Sequence, residues 1–127
     1  MELITFDKTQ KKPIVRKSIP FLTVNAKGKF NFSQGARRLL QLTDGNRAVL
    51  HQDKKYRNDW YLQITNEDRG YKIVLSKTDS RFTCNRAAGE IFKSIGRKPE
   101  KMSFVIEERP FVEGNIMLFK IGTNKPI

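Results

Sequence analysis

The chain has 127 residues, with 25 lysines and arginines against 13 acidic residues and a formal net charge of +12. Its 38% hydrophobic and 10% aromatic content suits one domain with a packed core and excludes wholesale disorder. No apolar run approaches the ~20 residues of a membrane span. The charged opening Met1–Gln10 lacks a secretory-signal pattern, and the lone Cys84 excludes a disulfide within the chain and a Cys-based metal site, so a cytoplasmic, reducing compartment is expected.

Residues 1–20 read as a basic N-terminal arm that carries Lys8, Lys11, Lys12, Arg16 and Lys17, with Pro13 and Pro20 as breakers. Phe21-Leu22-Thr23-Val24 is a predicted strand. Asn25-Ala26-Lys27-Gly28 is a turn, and Lys29-Phe30-Asn31-Phe32 alternates polar and aromatic, the period-two mark of a half-buried strand. Ser33 is placed to cap a helix over 34–42, whose Ala36, Leu39 and Leu40 share one face. Thr43-Asp44-Gly45-Asn46 turns the chain into a strand over 47–52. A polar connection over 53–59 leads to a returning strand over 60–65.

After the charged turn Asn66–Gly70 the pattern begins again. At a constant offset of 52, Phe30 meets Phe82, Phe32 meets Cys84, Ser33 meets Asn85 as a second cap residue, Ala36 meets Ala88, and Leu39-Leu40 meet Ile91-Phe92. The following turn is three residues longer in the second copy, so Ala48–Asp53 faces Ser103–Glu108; two more residues then enter, so Tyr61–Ile64 faces Leu118–Ile121. The recurrence predicts an internal duplication: half 1 over 21–64, a linker over 65–72, half 2 over 73–121 and a tail over 122–127. A half of this size buries too little surface to fold alone and leaves exposed strand edges. Two halves that pair their edges share one core. The expected fold is therefore mainly β with two short helices, a pseudo-two-fold closed barrel of two strand-strand-helix-strand-strand units with helices over its mouths.

The charge is spread along the chain: net +3 over 1–20, +5 over 21–64 and +4 over 73–127. A basic body of this kind favours polyanions, because each neutralised phosphate releases a condensed counterion. Chemistry-bearing clusters are sparse. His51 has no Cys or second His near it in sequence, which points to a hydrogen-bonded structural histidine. Cys84 falls at a core position opposite Phe32 and reads as a small buried hydrophobe. Glu107 and Glu108, adjacent on the predicted strand, would point to opposite faces and could not act as an acid–base pair. No phosphate-cradling Gly-rich motif occurs. An enzyme, a metal, a cofactor or a small-molecule substrate is not expected. Phe30, Phe32, Phe82 and Phe104 fit a core, and Tyr56, Trp60, Tyr61 and Phe111 cluster at the second hairpin of each half.

The run Gly28-Lys29-Phe30-Asn31-Phe32-Ser33, then Ala36-Arg37-Arg38-Leu39-Leu40-Gln41-Leu42, Asp44-Gly45 and Val49-Leu50 resembles the AbrB/MazE/SpoVT swapped-hairpin family of bacterial DNA-binding domains. The resemblance is good over 21–64 and weak over 73–121. It implies a half-barrel in each repeat and a non-enzymatic DNA-binding protein, a transcriptional regulator of that type, closed within one chain as a monomeric pseudo-dimer or a loose homodimer. The family's DNA-contacting positions fall here on Lys27, Lys29, Arg37 and Arg38, and Arg47, Arg81 and Arg86 would extend the patch. The second half has Gly89 and Glu90 where the first has Arg37 and Arg38, and Ser33 and Asn85 stand where the family carries a strand-ending proline. A symmetric, palindrome-reading surface is thus only half present. Other expected roles are an RNA-binding barrel and a protein–protein assembly or phage-type structural adaptor that uses strand edges or the aromatic cluster.

Overall fold

The computed structural model describes residues 19–127. The predicted arm lies outside these residues except for Ile19 and Pro20. The described chain is mainly β, with two helices and two antiparallel five-stranded sheets.

β1 (Phe21–Val24) and β2 (Lys29–Phe32) form the first hairpin. Leu22, Val24, Phe30 and Phe32 point inward and their neighbours stay half-exposed, as the alternation dictates. At the tip, the Asn25 Oδ1 accepts from the N–H groups of Lys27 and Lys29, at 3.0 and 2.9 Å, and Gly28 takes a φ of 83°. Ser33 caps α1 (Gln34–Leu39) as expected: its hydroxyl accepts from the Ala36 and Phe21 N–H groups and donates to the Ile19 carbonyl. The helix is shorter than the expected span to Leu42. Gln41 turns left-handed at φ 51°, the Gln41 N–H donates to the Arg38 carbonyl and the Leu42 N–H to the Arg37 carbonyl. This is a Schellman ending, and it returns Leu42 to the core instead of extending the helix.

β3 (Arg47–Gln52) and β4 (Trp60–Thr65) pair along six residues. The second copy departs from the expected boundaries in four places. The strand expected at Ile73 is split into β5 (Tyr71–Lys72) and β6 (Val74–Leu75), with β5 inside the expected linker. It breaks at Ile73, where the chain passes from one sheet to the other: β5 pairs with β3, and β6 pairs with β7 (Ser80–Thr83). α2 (Asn85–Ser94) is capped by Cys84, not Asn85, because Cys84 holds the extended backbone of a cap and its Sγ accepts from the Ala87 N–H at 3.4 Å. β8 (Met102–Val105) stops before Glu107 and Glu108, which are both exposed beyond its end. An additional strand, β9 (Phe111–Glu113), forms a hairpin with β10 (Ile116–Ile121).

The first sheet runs β6-β7-β2-β1-β8 and the second β5-β3-β4-β10-β9. Two central pairings join the sequence-matched halves at matched residues: Phe30 faces Phe82 between β2 and β7, and Leu62 faces Phe119 between β4 and β10. The Phe30 and Phe82 rings stack, with centroids 4.6 Å apart and planes 8° from parallel. Phe30, Phe82, Phe92 and Phe104 are fully buried, each contributing about 2–3 kcal/mol of transfer free energy. The remaining edge of β8 is covered by the tail, through the Gly122 N–H to the Val105 carbonyl and the Ile127 N–H to the Ser103 carbonyl. Among the described residues, no helix is long and apolar enough to cross a membrane.

Candidate nucleic-acid interface

The two hairpin tips fix where the cations lie, because each tip rests on the start of the helix from the other half. The tip Asn25–Gly28 meets the start of α2: the Cys84 N–H donates to the Gly28 carbonyl at 2.8 Å. Asn85 is so close that a Cβ on Gly28 would lie 2.7 Å from its Cα and 2.8 Å from its N. The turn Ser76–Asp79 meets α1 in the corresponding way. There Gln34 Nε2 donates to the Thr78 carbonyl at 2.9 Å and the Arg37 guanidinium to the Ser76 carbonyl at 2.8 Å, with a longer contact to the Asp79 carbonyl at 3.5 Å.

This seating sets the tip that carries Lys27 and Lys29 against the first turn of α2, which carries Arg86. Lys27 and Arg86 are exposed and Lys29 is half-buried, and none forms an ion pair with a described residue. Lys29 faces Thr83 and Asn31 faces Arg81 on adjacent strands, so Lys29 and Arg81 share the outward face of the first sheet. Arg81 is partly neutralised by Asp79, at 2.6 Å. Arg37 spends its hydrogen bonds holding the second tip. Arg38, next to it, is exposed and forms no ion pair with a described residue. Arg47 stands apart, on β3 in the second sheet, where it donates to the Gly70 carbonyl at 3.1 Å.

Lys77, in the second tip against which Arg37 is bonded, is exposed and carries a charge outside the family motif. The offset of 52 places it opposite Asn25, which contains the signal, but the residue type differs. A groove of about 500 Å³ was also not legible in the sequence. It lies between α2 and β3, β4 and β5, and Arg69, Tyr71, Arg86, Glu90 and Trp60 are among its lining residues. The Tyr71 hydroxyl interacts with the Cys84 thiol, which together with burial raises its pKa above the ordinary phenol value, while Arg86 acts in the opposite sense. Trp60 is 5% exposed, and its indole N–H donates to the Ser94 hydroxyl at 2.9 Å.

The other singled-out residues occupy structural positions. Phe30, Phe32, Phe82 and Phe104 lie in the core, and Cys84 is buried there while also capping α2. His51 Nε2 is 2.8 Å from Gln63 Oε1, which also accepts from Arg69. Tyr61 and Phe111 pack edge to face at 5.0 Å, and Tyr56 is exposed beside Lys55. Among the described residues there is no group of three or more His, Cys, Asp or Glu that could hold a metal. No family model, curated protein or solved structure matches the chain.

Proposed function

We propose that the chain is a non-enzymatic nucleic-acid-binding protein of the swapped-hairpin type, with DNA as the favoured ligand and transcriptional regulation as its role. The observation that carries the reading is the reciprocal seating of hairpin tips on opposite helices, which sets the segment bearing Lys27 and Lys29 against the start of α2, where Arg86 stands. Cations clustered without ion-pair partners are set to neutralise phosphates, and an Arg fork additionally suits phosphate oxygens or guanine edges.

The same reading makes the fold a pseudo-two-fold closed barrel. It is supported by the pairing of matched residues, Phe30 with Phe82 and Leu62 with Phe119. On one side β5 leads into β6 through Ile73, whose N–H donates to the Asn46 carbonyl. On the other side, the Ile106–Ile121 bridge and the bond from the Glu107 N–H to the Lys120 carbonyl link β8 to β10. On this reading each chain closes its own barrel, and light scattering is expected to give a monomer.

The test is fluorescence anisotropy on labelled duplex DNA between about 50 and 200 mM salt. Engagement of three cations gives a log–log salt slope of roughly −3, and Lys27→Ala or Lys29→Ala each flattens it by about 0.9. Arg37→Ala acts mainly through the second tip and changes the slope less. A salt-independent affinity, or no binding to DNA or RNA, overturns the reading.

One observation favours a second reading, a protein–protein adaptor. β9 is an edge strand with Phe111 and Val112 exposed, and Met117 is exposed on the strand it pairs with. That reading predicts a partner whose capture is lost in Val112→Lys and unaffected by Lys29→Ala.

A further inference from the structure

We propose that the groove between α2 and the second sheet is a seat for a single unpaired nucleotide, so that the protein grips single-stranded nucleic acid more tightly than duplex. The inference rests on the reading of the chain as a nucleic-acid binder and adds a ligand class and a second part to its site.

Three features of the groove carry it. Its size, about 500 Å³, falls in the range that holds a small ligand of nucleotide size. Its wall presents an aromatic platform: Tyr71 is 43% exposed and lines the groove, and its ring lies nearly parallel to the buried Phe82 ring, with planes 19° apart and centroids at 6.4 Å. With the core behind it, the ring has an outer face on which a base can stack. The third feature is charge. Arg86 and Arg69 both line the groove; Arg69 is ion-paired with Glu67 at 2.8 Å, whereas Arg86 forms no ion pair with a described residue and stands next to Asn85, on which the Gly28 tip with Lys27 and Lys29 is seated. A backbone tracking the tip lysines therefore reaches Arg86, which lines the groove. Glu90, the acidic group of the lining, is suited to accept from an exocyclic base amine and not to meet a phosphate.

A duplex cannot use this seat, because its bases are stacked and paired. Stacking on an aromatic side chain changes affinity by about 5- to 150-fold per base. Binding is measured for a duplex and for one of its strands alone, with the wild type, Tyr71→Phe, Tyr71→Leu and Lys27→Ala/Lys29→Ala. Trp60, the sole tryptophan and part of the groove lining, reports occupancy by its emission. The expected result is tighter single-strand binding that shifts Trp60 emission, falls about 5- to 150-fold in Tyr71→Leu and survives in Tyr71→Phe. Duplex affinity stays unchanged in Tyr71→Leu, which also shows that the variant is folded, and the double lysine variant weakens both ligands. Unchanged single-strand affinity in Tyr71→Leu, or equal losses for both ligands, overturns the seat and leaves the polyanion reading standing. Failure of the wild type to bind either ligand at about 50 mM salt overturns both.

Discussion

Gly28→Ala probes the contact on which the candidate interface depends. Gly28 is buried with φ 83°, and a Cβ there would meet the Asn85 side chain and lie within 2.8 Å of its backbone. Two costs combine. An L-residue in the left-handed region loses about 1–2 kcal/mol. Backbone atoms cannot rotate out of the way as a side-chain tip does, so the hairpin tip and α2 must separate, an overpacking cost of about 1–3 kcal/mol. The total is roughly 2–5 kcal/mol, a large share of the stability of a small domain. Gly45→Ala is the matched control, since Gly45 has φ 91° and nothing within 4 Å of its would-be Cβ. It carries the backbone cost alone, about 1–2 kcal/mol. Urea unfolding followed by Trp60 emission reads both variants. With a slope of about 1–3 kcal/mol per molar, the overpacking cost lowers the Gly28→Ala midpoint by roughly 0.3–3 M more than that of Gly45→Ala, about 1 M at mid-range values. Because the tip orients Lys27 and Lys29, Gly28→Ala also weakens nucleic-acid binding under conditions where the protein remains folded. Equal midpoint losses in the two variants would refute the seating of the tip on α2.

Gln41→Gly is expected to stabilise the protein by about 1 kcal/mol, raising Tm by a few degrees, since Gln41 is exposed at φ 51° and ends α1 where glycine is preferred; an unchanged or lower Tm counts against that ending. Ser94→Ala removes the acceptor of the buried Trp60 indole N–H and should cost about 1–3 kcal/mol in urea unfolding, with a change in Trp60 emission; a loss within error would mean that the indole finds another partner. Asp53 accepts from the N–H groups of Tyr56 and Lys55, at 2.9 and 2.7 Å, and these bonds hold its carboxyl below the usual carboxylate range. Its stabilisation is therefore in full force above the ordinary carboxylate pKa and disappears as the pH falls through the lowered native value. Asp53→Asn should be less stable than wild type at neutral pH, with the gap closing in acid, and a carboxyl NMR titration midpoint at or above the ordinary range would contradict this.

Much of the local structure was legible in the residues. Alternation in Lys29–Phe32 marked a strand and named Phe30 and Phe32 as core, and Ser33 ahead of a helical apolar face marked the start of α1. The end of α1 is not legible because Gln41 is not a residue type that announces a left-handed turn, whereas Gly96, at φ 68°, ends α2 openly. The cap of α2 is not legible either, since the thiol of Cys84 is a weak acceptor seldom used there. Of the cations expected at the interface, Lys27 and Lys29 lie on the tip that rests on the helix start carrying Arg86, while Arg37 is drawn to the carbonyl of Ser76, 39 positions away. No local pattern announces such a bond.

The sequence by itself determined which side of β2, β7 and β8 is buried, where the first hairpin turns, where α1 starts, and that the body is strongly basic. These properties depend on side-chain periodicity and turn chemistry, which act over a few residues. Only the tertiary structure decided that β2 pairs with β7, β1 with β8 and β4 with β10, and that each hairpin tip rests on the opposite half's helix. Backbone edges are chemically alike, so periodicity selects a strand's face without selecting its neighbour. That choice falls to the packing of the shared core, and with it the grouping of the charges on the surface.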